Sequence, residues 1–237
     1  MKVGVKNNVV GFGYQDPLTN KYSGLEIDLA DRIANELGYN GVEYTAVTAA
    51  TRTELLDAGT VDCILATFTV TDERKESWDF SAPYYTDAVT VLVEKKSGIS
   101  SLADLADKNV GVSTSSTSAK ALATAMAEKK LIPAFDTSAD FVPTSFKKGV
   151  AFTEFIDYPS ISSALTAGTI DAFCVDKSIL ASYMSDDRTY IEEKFDPQVY
   201  GVATRKGSEI SGQIDDLIKG WLEDGTIDKL ISKYGLE

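Results

Sequence analysis

The sequence predicts an α/β protein built from two similar lobes. The end of a helix followed by an apolar strand occurs at residues 56–62 (Leu-Asp-Ala-Gly-Thr-Val-Asp) and again at residues 165–171 (Leu-Thr-Ala-Gly-Thr-Ile-Asp). Helix and strand patterns also alternate along the chain, which is typical of a mostly parallel sheet flanked by helices. The length of 237 residues is sufficient for two modest domains. We assign residues 1–93 and 198–237 to lobe 1 and residues 94–197 to lobe 2, joined by two hinge crossings.

The first lobe is predicted to begin with a strand, which is followed by a helix with a clear start and stop in the sequence. Residues 23–26 (Ser-Gly-Leu-Glu) have the pattern of a capping box, which predicts a helix that runs to Leu37 and stops at Gly38. The other elements expected before the first crossing are strands at residues 2–5, 42–47, 63–66 and 88–93 and a helix at residues 53–58.

A charged break at residues 94–98 marks the crossing into the second lobe, and residues 131–153 form an irregular excursion to which we assign no role. The elements expected after that break are a short helix at 102–106, a strand at 110–112, helices at 119–130 and 161–167, a strand at 172–175, a return strand at 200–203, and helices at 210–223 and 227–234.

Composition excludes several classes of function. The formal net charge of −13 argues against a nucleic-acid partner, and an anionic group must therefore be captured by a local cluster of cations. The chain has no histidine, which excludes catalysis by serine and histidine or by cysteine and histidine, and leaves no imidazole ligand for a metal. Cys63 and Cys174 occupy matching positions in the two repeats, so we expect buried free thiols in different lobes.

No stretch of the chain is apolar enough to predict a membrane span, and Met1 leads into the first strand without an export signal. This start is expected both of a trimmed chain and of a cytoplasmic protein.

A loop rich in hydroxyl groups follows the strand of the first repeat and ends in Arg74. A guanidinium offers two parallel N–H groups to a carboxylate, and the hydroxyl of Thr69 can bind a remaining lone pair. Ligands of open α/β sheets lie beyond the carboxyl ends of the strands, where this loop is expected. The loop therefore predicts a carboxylate site. The alternative is that Arg74 pairs with Asp72 or Glu73 at the surface.

The second lobe offers complementary groups. The serine and threonine run at residues 113–118 opens a long helix, whose free amides favour an anion, although the run also fits a simple N-cap. Asp176 stands at the carboxyl end of the second repeat strand. An arginine for a carboxylate and an aspartate for an ammonium group together predict a site for an amino acid, because neither charge can be desolvated without a partner.

These motifs make the chain similar, over essentially its full length, to the polar amino-acid solute-binding proteins of ABC importers, family 3. The motifs that carry the resemblance are residues 24–29 (Gly-Leu-Glu-Ile-Asp-Leu), 66–75, 79–85, 110–112 and 171–180. The resemblance implies a periplasmic-binding-protein type II fold that closes on its ligand by a hinge motion. It implies Arg74 as the clamp for the α-carboxylate, Thr69 as a contact for the α-groups and Asp176 as the ammonium partner. The donors expected from lobe 2 are Ser113, Thr114 and Thr117.

Within the family, the chain looks closest to members that bind aspartate or glutamate, because residues 5–7, 51–52, 66–69 and 157–160 resemble theirs. A side-chain carboxylate needs a second cationic pole, which Lys6 and Arg52 could form, and Tyr158 could add a hydroxyl donor. The resemblance places Thr67 among the positions around the side-chain end of the ligand. The alternatives are that Lys6 is an ordinary solvated lysine and that Arg52 is a surface charge at a helix start.

The function expected from the resemblance is capture of an amino acid, glutamate or aspartate, for ABC-type import. Gly11 leaves a gap where many members place an aromatic ring, unless Phe12 or Tyr14 fills it, so glutamine or another polar amino acid is the alternative. A dehydratase on the same fold would need a general acid, which Asp176 does not provide as an ionised ammonium partner. A ligand-binding part of a receptor or of a channel-fused importer shares the same chemistry.

The resemblance also sets expectations about partners and location. We expect no enzyme activity, no cofactor and no metal. The expected partners are a small-molecule amino acid and the membrane subunits of an ABC importer, with no nucleic acid, and we expect a monomer. We expect the protein outside the cytoplasm, in the periplasm or tethered by a lipid to the outer face of the cell membrane.

Overall fold

The computed structural model describes all 237 residues, and they divide into two compact units. Residues 1–86 and 199–237 form the first unit, here called lobe 1, and residues 87–198 form lobe 2. Each lobe has a central sheet rich in parallel strands and flanked by helices, so the predicted α/β class with two lobes is confirmed.

Lobe 1 is built on a five-stranded sheet and a small antiparallel sheet. Its strands are β1 (Lys2–Val5), β2 (Asn8–Val9), β3 (Gly13–Gln15), β4 (Tyr22–Ser23), β5 (Glu43–Ala46), β6 (Cys63–Leu65), β7 (Trp78–Phe80) and β14 (Ala203–Arg205). Its helices are α1 (Leu25–Glu36), α2 (Arg52–Asp57), α3 (Asp72–Ser77), α7 (Glu209–Glu223) and α8 (Thr226–Lys233). The strand order is β5-β1-β6-β14-β7, in which β5, β1 and β6 are parallel and β14 is antiparallel to both neighbours.

Lobe 2 is built on one mixed sheet. Its strands are β8 (Tyr85–Glu94), which begins in lobe 1, β9 (Asn109–Ser113), β10 (Ala151–Phe155), β11 (Ala172–Asp176), β12 (Arg188–Tyr190) and β13 (Phe195–Tyr200), in which the chain returns to lobe 1. Its helices are α4 (Ser118–Glu128), α5 (Tyr158–Ala167) and α6 (Lys177–Ala181), with 3₁₀ turns at Lys95–Ser97, Leu102–Leu105 and Pro143–Ser145. The strand order is β10-β9-β11-β8-β12, with β13 paired to β8, and β10, β9 and β11 are parallel.

The sequence repeat corresponds to a repeated structure. The carboxylate of Asp62 accepts the backbone N–H of Lys2 at 2.8 Å, and that of Asp171 accepts the backbone N–H of Asn109 at the same distance. In both copies the glycine three positions earlier ends the helix with a positive φ, +70° and +72°. Each repeat therefore fastens the start of its apolar strand, β6 or β11, to the start of the neighbouring parallel strand, β1 or β9, in the same way.

The irregular excursion of lobe 2 enlarges the core of that lobe. Phe135, Phe141 and Phe146 form a ring cluster, with centroids 5.0 to 5.7 Å apart, that packs on Phe152 of β10. These rings cover one side of the buried cluster formed by β9, β10 and α4. The irregular segment predicted at residues 131–153 ends earlier than expected, because β10 begins at Ala151. The aromatic side chains pack the segment before this strand onto the core of lobe 2.

Two expectations, about the return to lobe 1 and about the cysteines, can be compared with the structure. The return strand expected at residues 200–203 is wrong as a single element, because β13 ends at Tyr200 and β14 begins at Ala203. At this break the backbone of Gly201 passes so close to Val70 that a Cβ would lie 2.8 Å from the Val70 side chain. The two cysteines are free and buried, and burial raises the pKa of both thiols.

None of the helices combines the length and the apolar character needed to cross a membrane.

We expect Gly24→Ala to destabilise the protein by about 3 kcal/mol. Gly24 precedes α1 with φ +133°, and a Cβ there would lie 2.1 Å from the carbonyl oxygen of Phe12. Gly212→Ala is the matched control, because Gly212 lies inside α7 with no atom within 4 Å of the added Cβ. That change should stabilise the protein by about 0.5 to 1 kcal/mol. Urea denaturation of both variants measures the difference in their free energies of unfolding. Equal stabilities would contradict the view that the backbone at Gly24 requires a glycine.

Candidate functional site

The loop after β6 in lobe 1 contains a strained residue. Thr67 has φ +45°, which is rare for a β-branched side chain and is found mainly where the surrounding structure enforces it. Its hydroxyl donates to the carbonyl of Ala66 at 2.9 Å, and the residue is 4 % exposed. Such outliers cluster at binding sites, so the loop predicted to hold a ligand is also the place where backbone strain is stored.

The backbone N–H of Thr67 is held by Glu26, in the first turn of α1. One oxygen of the Glu26 carboxylate accepts this N–H at 2.5 Å and the hydroxyl of Tyr84 at 2.6 Å, and Glu26 is completely buried. The predicted capping box is therefore wrong: Gly24 is the N-cap, with no side-chain cap bond, because the Glu26 side chain is committed to Thr67.

Burial raises the pKa of the Glu26 carboxyl above its usual range. The hydrogen bonds from Tyr84 and Thr67 and the positive charges of Lys6 and Arg52 oppose this rise. Lys6 follows β1, Thr67 follows the neighbouring parallel strand β6, and both lie at the carboxyl edge of the sheet. The two cations predicted to face a ligand side chain thus have a buried carboxylate of their own lobe as a charge partner.

Two arginines contact the aromatic ring next to Thr67. The guanidinium carbon of Arg52 lies 3.8 Å from the centroid of the Phe68 ring, and that of Arg74 lies 4.8 Å from it. Arg52 also donates to the carbonyls of Ala66 and Thr67 at 3.0 and 3.4 Å. Arg74 donates to the carbonyl of Thr69 at 2.8 Å. Cation–π contacts and carbonyl bonds together fix the direction of both guanidinium planes.

Helix α3 positions Arg74 at its first turn. The hydroxyl of Thr71 caps this helix by accepting the backbone N–H of Arg74 at 3.1 Å. Asp72, one of the two partners considered as an alternative for Arg74, pairs with Lys75 at 3.4 Å. The structure brings together five of the predicted residues in lobe 1, namely Lys6, Arg52, Thr67, Thr69 and Arg74.

The polar run of lobe 2 forms a tight turn between β9 and α4. Thr114 donates to the carbonyl of Phe155 through both its backbone N–H and its hydroxyl, and Ser115 has φ +61°. The hydroxyl oxygens of Ser116 and Ser118, at the start of α4, are buried and have no hydrogen-bond partner. A helix of 11 residues with unsatisfied hydroxyls at its N-terminus is chemically suited to an anionic group.

Thr117, the N-cap of α4, is tied to strand β13. Its hydroxyl donates to the amide oxygen of Gln198 at 2.9 Å, and the amide nitrogen of Gln198 donates to the carboxylate of Asp196 at 2.7 Å. Burial raises the pKa of the Asp196 carboxyl, and Asp196 adopts φ +46°. These two hydrogen bonds fix the rotamer of Thr117 and hold its hydroxyl group in one place at the turn.

Asp176 and Ser113 lie at the carboxyl ends of two neighbouring parallel strands, β11 and β9, and are buried. The side chain of Tyr158, at the start of α5, packs with the rings of Phe173 and Tyr183, with centroid distances of 6.4 Å to each. Lobe 2 thus collects Ser113, Thr114, Thr117 and Asp176 at one edge of its sheet, and Tyr158 in an aromatic cluster.

The gap expected at Gly11 is occupied within lobe 1. A Cβ at this glycine would lie 2.8 Å from the side chain of Leu236. The ring of Phe12 is buried, with its centroid 4.9 Å from that of Tyr85 and 5.8 Å from that of Tyr200, both edge-on. Phe12 is therefore part of the core of lobe 1.

Four residues that shape the site, Glu26, Phe68, Tyr84 and Gln198, have no role in the sequence-based prediction. A signal for Glu26 was present, because it lies on the same helical stripe as Leu29, Ala30 and Ile33, which are all buried. A carboxylate on an apolar stripe needs a partner in the interior, and this requirement could have identified it.

Comparison with known proteins gives a match to one protein family along the whole chain. Residues 1–237 match the family model described as bacterial extracellular solute-binding proteins, family 3. The chain is 33 % identical over 208 residues to a glutamine-binding protein of Geobacillus stearothermophilus, covering 86 % of this chain and 72 % of the relative. It is 29 % identical over 236 residues to the ABC transporter glutamine-binding protein GlnH of Bacillus subtilis, covering 98 % and 79 %.

Among solved structures, an ancestral arginine-binding protein bound to arginine matches with a TM-score of 0.81 and 30 % identity, covering 99 % of this chain and 97 % of that chain. The expected closeness to aspartate- and glutamate-binding members is not supported, since both relatives above are named for glutamine. The family is extracytoplasmic, and its members bind amino acids for ABC transporters. The chain belongs to the bacterial extracellular solute-binding proteins, family 3, as an amino-acid-binding protein of an ABC importer.

Proposed function

We propose that the protein captures L-glutamine for ABC-type import, rather than glutamate or aspartate. The observation that carries the proposal is the buried carboxylate of Glu26, on which the charges of Lys6 and Arg52 act. A ligand carboxylate would compete with Glu26 for these cations, and it would be buried beside a carboxyl group whose charged form burial already disfavours. The side-chain amide of glutamine brings no net charge and can both donate and accept hydrogen bonds.

The α-groups of the ligand are assigned to residues that lie at the carboxyl edges of the two sheets. Arg74 and Thr69 of lobe 1 take the α-carboxylate, with donors from the turn at Ser113, Thr114 and Thr117. Asp176 takes the α-ammonium group. The support for this assignment is chemical: an ionised carboxylate and an ammonium group each need an opposite charge when water is removed.

Three further features of the function are proposals. Ligand binding to both lobes would favour a closed state that the membrane subunits recognise, because only a state in which both lobes engage the ligand satisfies both of its charges. We propose that the protein works as a monomer, and that it acts in the periplasm or as a lipid-tethered protein on the outer face of the membrane.

Calorimetry with the ligand-free protein tests the specificity. We expect L-glutamine to bind at least about tenfold more tightly than L-glutamate, L-aspartate or L-arginine, because each of these brings a charge that the site must compensate. The protein should first be unfolded and refolded to remove any carried-over ligand. Tighter binding of glutamate than of glutamine would overturn the choice of ligand, and binding of none of the four would overturn the proposed function itself.

A further inference from the structure

We infer that Glu26 is a positioning residue for the ligand-binding loop of lobe 1. In this inference its carboxylate holds Thr67 in the left-handed backbone region and thereby sets the places of Phe68, Thr69 and Arg74. The inference rests on the proposed function only in that affinity for an amino acid is the readout. It concerns a residue that contacts the loop and not the ligand.

The first support is the conformation of Thr67 itself. A threonine with φ +45° does not keep this conformation without help, because its β-branched side chain crowds the backbone there. The Glu26 carboxylate accepts the backbone N–H of Thr67 at 2.5 Å, a short bond to a completely buried acceptor. Arg52 donates to the carbonyl of the same residue at 3.4 Å. Thr67 is therefore held on both sides by side chains distant in sequence.

The second support is that Glu26 is itself immobilised. Tyr84 and Glu26 are almost completely buried, and the Tyr84 hydroxyl donates to the same carboxylate oxygen that Thr67 uses, at 2.6 Å. The other carboxylate oxygen is buried without a hydrogen-bond partner. All hydrogen bonds of this carboxylate thus converge on one oxygen, whose place is fixed by a rigid tyrosine. This arrangement is expected of a group that sets a backbone position.

The third support is the role of the two residues after Thr67 in the chain. The ring of Phe68 contacts the guanidinium groups of Arg52 and Arg74, and the carbonyl of Thr69 accepts from Arg74. A change of φ at Thr67 would rotate the next peptides of the loop and would displace the ring and the carbonyl together. The direction of Arg74 is therefore linked through two residues to the Glu26 carboxylate.

A double-mutant cycle between Glu26→Asp and Thr67→Gly tests the inference, with L-glutamine as the calorimetric probe. Aspartate keeps the charge but is one methylene too short to reach Thr67, so Glu26→Asp should weaken binding about tenfold. Glycine adopts φ +45° without support, so in the Thr67→Gly background the same change should weaken binding by about twofold or less. Any effect of Thr67→Gly alone on affinity is present in both proteins of its background, so it cancels when the effects of Glu26→Asp in the two backgrounds are compared.

An equal loss of affinity in both backgrounds would overturn the inference, since a residue that only fills the core is not rescued by a glycine elsewhere. Unchanged affinity of Glu26→Asp would overturn it as well. If Glu26→Asp does not fold, Tyr84→Phe removes the anchor of the carboxylate and should show the same dependence on the Thr67→Gly background. Failure of the unmodified protein to bind any of the four amino acids is a different result, because it removes the proposed function.

Discussion

Arg74→Ala is expected to abolish binding of every α-amino acid, whatever its side chain, with a loss of affinity of about 100-fold or more. The guanidinium is held by the carbonyl of Thr69 and by the ring of Phe68, so it is fixed before a ligand arrives. A preorganised fork loses little entropy on binding a carboxylate. Arg74→Lys should also bind weakly, because an ammonium group is a point charge without the planar fork.

The substitution should leave the fold intact, which separates a binding defect from a folding defect. The cap of α3 uses the backbone N–H of Arg74 and the hydroxyl of Thr71, and alanine retains this N–H. Lys75→Ala is the matched control, because Lys75 is the next residue and its side chain forms an exposed pair with Asp72. Calorimetry and thermal unfolding of both variants provide the measurement. An affinity of Arg74→Ala within threefold of the unmodified protein would remove Arg74 from the site.

Much of the architecture could be predicted because its determinants are local. Asp62 and Asp171 end the same short motif. Each motif contains a glycine that ends a helix and an aspartate that fastens the neighbouring strand, and an apolar strand follows it directly. A pattern that is complete within seven residues is visible in the sequence. The short strands β2, β3 and β4 could not be predicted from the sequence, because two or three residues are too few to show a hydrophobic periodicity.

The need of Glu26 for an interior partner was visible in the sequence, but the identity of its partners could not be predicted, for the opposite reason. Its partners Thr67 and Tyr84 lie 41 and 58 residues further along the chain, and a serine three residues before it offers a complete local explanation as a capping box. Local reasoning prefers the nearby partner, whereas the folded chain uses the distant ones. The same limit applies to Arg52, whose contact with the Phe68 ring requires that α2 and the loop after β6 already lie side by side.

The difficulty of predicting distant partners also affects the prediction of the ligand. The sequence places Lys6 and Arg52 beside the expected site, and two cations alone indicate an acidic ligand. The structure adds the buried carboxylate of Glu26, which interacts with both charges. A count of charges that omits this buried group overestimates the positive charge that Lys6 and Arg52 offer to a ligand side chain.

Arg188→Met is expected to reduce the stability of lobe 2 by about 3 to 5 kcal/mol, since it removes one partner of a buried charge network. Arg188 is 7 % exposed, and its Nε donates to the carboxylate of Glu94 at 3.1 Å. Its two terminal nitrogens donate to the hydroxyl and carbonyl of Ser162, the carbonyl of Tyr183 and the hydroxyl of Thr166, at 2.7 to 2.9 Å. One side chain thus joins β12 to helix α5 and to the end of α6.

Removal of this guanidinium leaves the Glu94 carboxylate, which is 12 % exposed, without its ion pair and several acceptors without a donor, so methionine can fill the volume but not the bonding. Thermal unfolding should shift down by about 10 °C. Lys219→Ala, which breaks an exposed pair with Asp215 at 2.7 Å, should change stability by less than about 0.5 kcal/mol. A shift of the same size in both variants would mean that the Arg188 network is no more stabilising than a surface pair.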